Sequence, residues 1–266
     1  MAPRMLAVVQ ARLGSTRLPG KALADIAGRP MIAHVMARIG ATPGVDEVVL
    51  ATTSSAADDA LADFARSAGV ACVRGSVDDV LDRFWSAARA SPADAIVRVT
   101  ADCPLLDPAV SGRVVAEFLR HAPGVDYASN VHPPSYPDGL DTEVIAREAL
   151  ERAWRESSPA SSRDREHVTP YIWERRPEAF RRVNVEHGED LSALRWTVDD
   201  ARDLGFVRSV YDALAPDGVR IFGMDEVLTL LRARPGLAAL NTGTPRNEGY
   251  ERSRLADLGT GKSQGS

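Results

Sequence analysis

The residues best suited to chemistry lie in a basic, glycine-containing loop near the N-terminus. The loop follows an apolar run that ends at Gln10 and reads Ala11-Arg-Leu-Gly-Ser-Thr-Arg-Leu-Pro-Gly-Lys21. Glycines permit a backbone path that presses amide groups against an anion, and three cations within ten residues supply positive charge. This pattern favours a cradle for a triphosphate, although a solvated basic loop with ordinary glycine turns explains the composition equally well. The candidate ligands are Gln10, Ala11, Arg12, Gly14, Ser15 and Lys21, with Arg17 adding charge.

Spacing excludes two familiar nucleotide-binding loops. A P-loop has four residues between its glycines and Ser or Thr after its Lys, whereas five residues separate Gly14 from Gly20 and Ala22 follows Lys21. The chain also lacks a G-x-G-x-x-G pattern, which argues against a nicotinamide or flavin Rossmann site.

Two aspartates follow apolar runs that are typical of buried strands. Asp102 comes after the run 95–99, and Asp199 comes after the run 194–198. Mg²⁺ commonly binds one or two carboxylates together with substrate phosphates, so the pair suggests a magnesium site. Taken singly, Asp102 is better explained as a turn or N-capping residue, and an N-cap role accounts for Asp199 without any function.

Alternating strand and helix patterns must position these residues. The alternation implies an α/β fold with a mostly parallel sheet and helices on both faces, and ligands bind such sheets at the carboxyl ends of the strands. Residues 131–139 read as a loop. Strands are predicted at 6–9, 48–51, 70–73, 95–99, 142–145, 182–185 and 194–198, and helices at 31–39, 59–65, 80–88, 110–118, 201–214 and 225–234.

Length and composition limit the class of protein. The 266 residues suit a single domain over 1–240, followed by a polar tail over 241–266 whose end is expected to be disordered. With 32 Lys and Arg against 37 Asp and Glu, the net charge of −5 argues against a nucleic-acid partner. Only Cys72 and Cys103 occur, so no disulfide framework is expected. No apolar run is long enough for a signal-peptide core or a membrane span, and a cytoplasmic protein is expected.

The loop also carries a family resemblance. The run Val8-Val-Gln-Ala-Arg-Leu-Gly-Ser-Thr-Arg-Leu-Pro-Gly-Lys-Ala-Leu23, followed by Gly28-Arg-Pro-Met-Ile32, resembles the sugar-activating cytidylyltransferases, which include the acylneuraminate and 3-deoxy-manno-octulosonate enzymes. The closest resemblance is to the spore-coat polysaccharide biosynthesis protein F family, along nearly the whole chain. Further matching runs are Ala51-Thr-Thr53, Arg74-Gly-Ser76, Asp79-Val-Leu81, Arg165-Glu-His-Val-Thr-Pro-Tyr171, Arg195-Trp-Thr-Val-Asp199 and Asn247-Glu-Gly-Tyr250.

The resemblance implies a GT-A-like, Rossmann-like nucleotidyltransferase fold and a homodimer. It implies magnesium-dependent transfer of CMP from CTP to an acidic sugar or sugar-like acceptor, with release of pyrophosphate, in polysaccharide biosynthesis. The nucleotide would bind in the half 1–125, and the half 126–240 would serve the acceptor and the dimer. One departure is Ala101, where the better-known enzymes have Gly before the metal-binding Asp.

The resemblance also implies roles for individual residues. Arg12, Lys21 and Asp102 would be catalytic, and Arg12, Ser15 and Lys21 would bind the phosphates. Mg²⁺ would bind Asp102 and Asp199. Arg74, Gly75 and Ser76 would lie near the pyrimidine.

An anionic acceptor needs a second cationic surface, because the first loop is occupied by the triphosphate. The run Arg163-Asp-Arg-Glu-His167 offers one, although an exposed helix with alternating charges explains it equally well. Asp138 and Glu143 are further candidates for the acceptor or the ribose, and Asp138-Gly139 is equally a turn. The acceptor candidates are Asp138, Glu143, Arg163, Arg165 and His167.

Two other functions fit parts of the pattern. A GT-A glycosyltransferase would share the fold, but it normally carries an Asp-x-Asp metal motif, and Asp102-Cys-Pro lacks the second Asp. A non-enzymatic nucleotide-binding protein is the other alternative. The basic loop and both candidate metal carboxylates argue against it.

Overall fold

The computed structural model describes residues 3–159, 161–241, 246, 249–251 and 253–255. Within that part of the chain, seven strands form one sheet in the order β5-β4-β1-β6-β8-β7-β9, and β2 and β3 form a separate hairpin. The strands are β1 (Met5–Gln10), β2 (Asp25–Ile26), β3 (Arg29–Pro30), β4 (Glu47–Thr53), β5 (Ala71–Gly75), β6 (Ala95–Thr100), β7 (Tyr127–Ser129), β8 (Glu143–Ala146) and β9 (Arg182–Asn184).

The helices alternate with the strands in the first half of the chain and dominate the end of the second. They are α1 (Met31–Gly40), α2 (Asp59–Ser67), α3 (Val80–Ala90), α4 (Pro108–His121), α5 (Arg147–Glu156), α6 (Ser162–His167), α7 (Ala201–Leu214), α8 (Met224–Ala233) and α9 (Pro235–Ala238). A π-helical turn covers Tyr171–Arg175, and 3-10 turns cover Lys21–Leu23, Ala56–Asp58 and Pro177–Ala179.

The direction of each strand follows from its connection. β1, β4, β5 and β6 are mutually parallel because a helix crosses over between successive strands. β8 runs antiparallel to both β6 and β7, while β9 runs parallel to β7. The sheet is therefore mixed but mostly parallel, as predicted, and it continues across residue 125. The predicted limits of the domain and of its two halves stay predictions.

Both faces of the sheet are covered. Alternate residues of β1 enter different cores: Ala7 and Val9 pack with α1, α2 and α4, whereas Leu6 and Val8 pack with α3 and α5. A third core joins α7 and α8 to the β2–β3 hairpin. It buries Trp196 and Val198 and so attaches the segment before Asp199 to the carboxyl edge of the sheet.

Two local predictions are wrong. The run 194–198 is not a strand; it forms an isolated bridge through Arg195 to Asp138 and lies against the third core. The N-cap of α7 is Asp200, in a capping box with Asp203, and not Asp199. Because Asp199 does not cap α7, its carboxylate is available to Lys21, Arg17 and Arg195. The elements β7, α5 and α6 were not assigned from the apolar pattern, whereas the predicted loop over 131–139 is confirmed.

Two of the predictions made for the C-terminal part of the chain fall on residues that the structure does not describe. Asn247 and Glu248 of the last matching run, and the end of the predicted tail from 256 onward, lie outside the described residues.

Within the described chain, no helix has the length and apolar character needed to cross a membrane.

Candidate active site

The basic loop is held in place by a buried carboxylate. The amide of Leu13 donates to Asp58 Oδ1 at 2.7 Å, and the Thr53 hydroxyl at the end of β4 donates to the other oxygen of Asp58. The amide of Gly20 donates back to the carbonyl of Leu13 at 3.0 Å. Gly20 has a φ of 74°, which favours glycine, and it turns the chain into the 3-10 turn that begins at Lys21.

Lys21 connects the loop to the two predicted metal carboxylates. Its ammonium donates to Asp102 Oδ2 at 2.9 Å, to Asp199 Oδ1 at 2.9 Å and to the carbonyl of Val198 at 2.8 Å. The Lys21 side chain is only 13% exposed. The two carboxylates therefore converge on one cation position, which the ammonium occupies.

The charges in this cluster shift each other's pKa. Burial opposes the charged form of Lys21, but the negative charges of Asp102 and Asp199 outweigh it and raise the Lys21 pKa to about 12. Burial likewise opposes ionised Asp102, but Lys21 and the hydroxyl of Thr100 lower its pKa to about 2. Lys21 and Asp102 are therefore both ionised at neutral pH.

Arg195 and Arg17 hold the other side of Asp199. Arg195 donates to Asp199 Oδ2 at 2.8 Å and binds Asp203 through two hydrogen bonds of 3.0 Å, while Arg17 lies 3.1 Å from Asp199 Oδ2. Such multiple pairing orients a carboxylate more firmly than a single contact does. The amide of Val198 also donates to the carbonyl of Asp102 at 2.8 Å, which sets the distance between the two acidic segments.

A cavity of about 340 Å³ opens beside this cluster, and most of the predicted triphosphate residues line it. A Cβ built on Gly14 would meet no atom within 4 Å, so the loop leaves open space at that point. Gln10 Oε1 is buried and has no hydrogen-bond partner among the described residues. The predicted residues that line this cavity are Gln10, Ala11, Arg12, Gly14, Ser15, Lys21, Asp102 and Asp199.

The cavity continues into a second one. A smaller space of about 220 Å³ shares Arg17, Thr100, Asp102 and Asp199 with the first cavity, and Asp138 also lines it. A third cavity, of about 350 Å³, shares Arg98 and Asp141 with that space and lies between β8 and the π-helical turn. Hereafter these spaces are named, after the predictions for the residues that line them, the nucleotide cavity, the bridging cavity and the acceptor cavity. The acceptor cavity contains the predicted residues Glu143 and His167.

Glu143 forms the floor of the acceptor cavity and is 4% exposed. It is paired with Arg98 and accepts hydrogen bonds from Tyr127 at 2.5 Å and Thr169 at 2.7 Å. Burial opposes its charge, but Arg98 and the hydrogen bonds keep the pKa of Glu143 below its ordinary value. The floor of this cavity is thus an ionised, fully oriented carboxylate.

Asp138 behaves differently in the bridging cavity. Its Oδ2 lies 3.4 Å from Arg195 Nη1, but burial and the charge of Asp141 raise the pKa of Asp138 to about 7. Next to it, Gly139 has a φ of 110°, and a Cβ there would lie 2.7 Å from the backbone of Trp196. The Asp138-Gly139 turn therefore serves a close backbone approach as well as placing Asp138.

The structure does not bring two predicted acceptor residues to the acceptor cavity. Arg165 is 8% exposed and donates to the carbonyls of Trp154 at 2.9 Å and Ser157 at 2.7 Å, and it lies 3.3 Å from Asp79. Arg163 pairs with Glu174 at 3.1 Å. Because α6 packs against α3, Arg165 faces the interior and ties three elements together.

The predicted base-binding residues lie at the correct edge of the sheet but do not line the nucleotide cavity. Arg74 donates to the carbonyls of Thr53 and Ser55 at 2.8 Å each. Gly75 accepts from the amide of Ser54 at 2.7 Å, and the Ser76 carbonyl accepts from buried Arg83 at 2.6 Å. Their role toward a base stays a prediction.

Sequence reasoning missed several residues that organise the site. The chief ones are Arg195, which orients Asp199, and Asp58, which anchors the loop. Arg195 begins the matching run Arg195-Trp-Thr-Val-Asp199, and that match is the signal that could have found it. Asp58 gives no such signal, because its partners Leu13 and Thr53 belong to other elements.

Comparison with known proteins shows which family has this sequence and fold. The family model described as cytidylyltransferase matches residues 6–210, which include the loop, both aspartates and Glu143. The chain belongs to the cytidylyltransferase family. As a member of it, the chain is a nucleotidyltransferase that uses CTP, and the fold is the nucleotidyltransferase fold seen in its structural neighbours.

Individual relatives support the same assignment. The spore coat polysaccharide biosynthesis protein SpsF of Bacillus subtilis is 29% identical over 88% of this chain and 96% of its own. The 3-deoxy-manno-octulosonate cytidylyltransferase of Anaeromyxobacter dehalogenans is 32% identical over 87% of this chain and 97% of its own. The solved structure of a cytidylyltransferase from Leptospira borgpetersenii superimposes with a TM-score of 0.81, at 26% identity, over 92% of this chain and all of that one. The predicted resemblance is thus confirmed at the level of the family.

Proposed function

We propose that this cytidylyltransferase transfers CMP from CTP to an acidic, sugar-like acceptor in a reaction that requires Mg²⁺ and releases pyrophosphate. The observation that carries the proposal is the convergence of Asp102 and Asp199 on one cation position beside an open, basic loop. Carboxylates at that place, next to a phosphate cradle, fit the metal-assisted transfer of a nucleotidyl group.

The donor set fits Mg²⁺. Asp102 and Asp199 supply hard oxygen ligands, and the ammonium of Lys21 shows that both carboxylates stabilise a single positive charge between them. Among the described residues there is no group of three or more side chains able to hold a metal, so phosphate oxygens and water would complete the coordination. When bound, the metal would act as a Lewis acid toward the phosphates.

The residues of the loop would bind and orient the triphosphate. Arg12 and Lys21 supply positive charge, and the open space above Gly14 lets the backbone approach the phosphates. An oxygen of the acceptor would attack the α-phosphorus in line, forming the new P–O bond as the bond to pyrophosphate breaks. Orientation and electrostatic stabilisation of the leaving group then provide most of the rate.

We place the acceptor in the acceptor cavity, with its reacting oxygen toward the bridging cavity. The shared residues Asp102 and Asp199 bring that space next to the nucleotide cavity. Likeness to the 3-deoxy-manno-octulosonate enzyme supports an acidic sugar, and likeness to the spore-coat protein supports a role in polysaccharide biosynthesis. We also propose a homodimer, as the resemblance in the sequence implies, and sedimentation of the purified chain would test it.

The test is a pyrophosphate assay with CTP, Mg²⁺ and a panel of sugar acids, phosphorylated sugars and matched neutral sugars. Pyrophosphate is expected only with an acid, and Asp102→Asn is expected to abolish it while the protein stays folded. Asp225→Asn, on the exposed start of α8, is the matched control and should retain full activity. Wild-type turnover by Asp102→Asn, or release of a nucleoside diphosphate from a nucleotide sugar in place of pyrophosphate, would refute the proposal.

A further inference from the structure

The C-terminal segment, which comprises described residues 246, 249–251 and 253–255, lies across the site. Gly249 lines both the nucleotide cavity and the bridging cavity, while Arg246, Tyr250 and Glu251 line the acceptor cavity. All of these residues lie beyond residue 210, where the match to the family model ends. The acceptor cavity is thus completed by residues outside the region that the family model matches, among which Gly249 and Tyr250 belong to the run that resembles the spore-coat family.

Polar contacts anchor the segment at both ends. Arg246 pairs with Asp141 and donates to the carbonyl of Tyr136 at 3.0 Å. Ser253 lies 3.1 Å from the ring of His167 and donates to Glu166 at 3.0 Å. The segment is therefore attached to the rim of the cavity through specific side chains.

Aromatic rings form one wall of the acceptor cavity. The ring of Tyr250 lies 5.5 Å from Trp173 and 5.3 Å, edge-on, from His167, and Trp173 stacks on His132 at 3.9 Å. The Tyr250 hydroxyl is directed to Glu174. Because that hydroxyl is already paired, the ring of Tyr250 offers the cavity an apolar face rather than a polar group.

Paired carboxylates form the opposite side. Asp141 is held by Arg246, and Glu143 is held by Arg98. With Glu251, the described lining has three carboxylates against these two arginines, so it carries no excess of positive charge. Oriented carboxylates accept hydrogen bonds from hydroxyl groups, and an aromatic wall packs against the C–H face of a saturated ring.

We propose that the C-terminal segment determines acceptor specificity: Tyr250 packs against the ring of a cyclic, polyhydroxylated acid, and Arg246 orients Asp141 to bind its hydroxyls. This inference rests on the proposed function, since it assumes that the acceptor enters this cavity. It assigns recognition to the shape and hydroxyl pattern of the acceptor, because the described lining lacks the second cationic surface that was predicted for an anionic acceptor.

The experiment compares four acids by saturation-transfer NMR, with CTP present and divalent metal absent so that no transfer occurs. The probes are 3-deoxy-manno-octulosonate and N-acetylneuraminate, which are cyclic and hydroxylated, gluconate, which is an open chain, and cyclohexanecarboxylate, which lacks hydroxyls. At least one of the first two is expected to bind the wild-type chain, and more tightly than the other two acids. Tyr250→Ala is expected to weaken that binding about tenfold, as loss of one aromatic contact implies.

Three further variants make the test specific. Tyr250→Phe keeps the ring and should bind as the wild type does, and Arg246→Met should weaken binding by releasing Asp141. Leu255→Ala changes an exposed side chain of the same segment and is the matched control. Unchanged binding by Tyr250→Ala, equal binding of gluconate, or binding of none of the four acids would overturn the inference. The CTP affinity of the same samples, measured by calorimetry, tests the proposed function separately from the inference about the acceptor. All four variants should bind CTP as tightly as the wild type does.

Discussion

Replacing Lys21 with methionine removes the ammonium between Asp102 and Asp199 and keeps most of the side-chain volume. The rise of the Lys21 pKa from its ordinary 10.5 to about 12 corresponds to about 2 kcal/mol. The fall of the Asp102 pKa from 3.8 to about 2 gives about the same energy and describes the same interaction, so the two are not added. We expect Lys21→Met to lower the free energy of unfolding of the metal-free protein by about 2 kcal/mol at neutral pH.

The pH range of this effect follows from the direction of both shifts. The folded protein lowers the Asp102 pKa, so that contribution is present above about pH 4 and is lost as the pH falls toward 2. The folded protein raises the Lys21 pKa, so the contribution of Lys21 to stability is present below about pH 10 and is lost as the pH rises toward 12. The effect of Lys21→Met should therefore be constant between about pH 5 and 9.

The same variant should change the behaviour toward metals. In the wild type, a divalent cation without nucleotide must displace the ammonium, whereas in Lys21→Met it meets Asp102 Oδ2 and Asp199 Oδ1 without their ammonium partner. Mn²⁺ alone should thus bind the variant more tightly and restore its stability, while turnover falls on the order of 100-fold through lost stabilisation of the leaving group.

The assay is urea unfolding of the wild type, Lys21→Met, Asp102→Asn and the double variant, each with and without Mn²⁺. The double-mutant cycle should give a favourable coupling energy between the two side chains. A coupling near zero, or an Mn²⁺ affinity of Lys21→Met equal to that of the wild type, would show that the ammonium does not compensate the charges of Asp102 and Asp199.

Two further substitutions test the loop and the interior of α6. Gly14→Val should weaken CTP binding at least about tenfold, because the valine side chain enters open space in the nucleotide cavity. The substitution should change the stability of the protein little. Gly205→Val, on the exposed face of α7, is the control. Equal CTP affinities in calorimetry would mean that the phosphates do not approach Gly14. Arg165→Ala should lower the free energy of unfolding by about 1–3 kcal/mol, since it removes hydrogen bonds to two backbone carbonyls, one of them buried, and it should not raise the KM of either substrate. Arg155→Ala, exposed on α5, is its control, and a rise confined to the acceptor KM would restore Arg165 to the acceptor site.

Much of the fold and one half of the site could be predicted from the sequence, because their signals are local. Apolar periodicity located β1, β4, β5 and β6 and the helices between them to within a few residues. The loop from Arg12 to Lys21 is contiguous, and parallel strands place their carboxyl ends together, so the approach of Asp102 to the loop followed from topology. The family motif then identified the nucleotide.

Only the tertiary structure decided how Asp199 joins that cluster and what forms the acceptor cavity. The run 194–198 has the apolar pattern of a strand, but its burial comes from the third core, which the pattern of one segment does not reveal. Arg165 and His167 look alike in a charged helix, yet packing of α6 against α3 buries Arg165 and leaves His167 at the cavity. The residues of the acceptor cavity come from β6, the segment 131–141, β8, α6, the π-helical turn and the C-terminal segment. Local patterns record whether a residue is buried, whereas a cavity depends on which distant residues are buried against one another, and that is settled by packing.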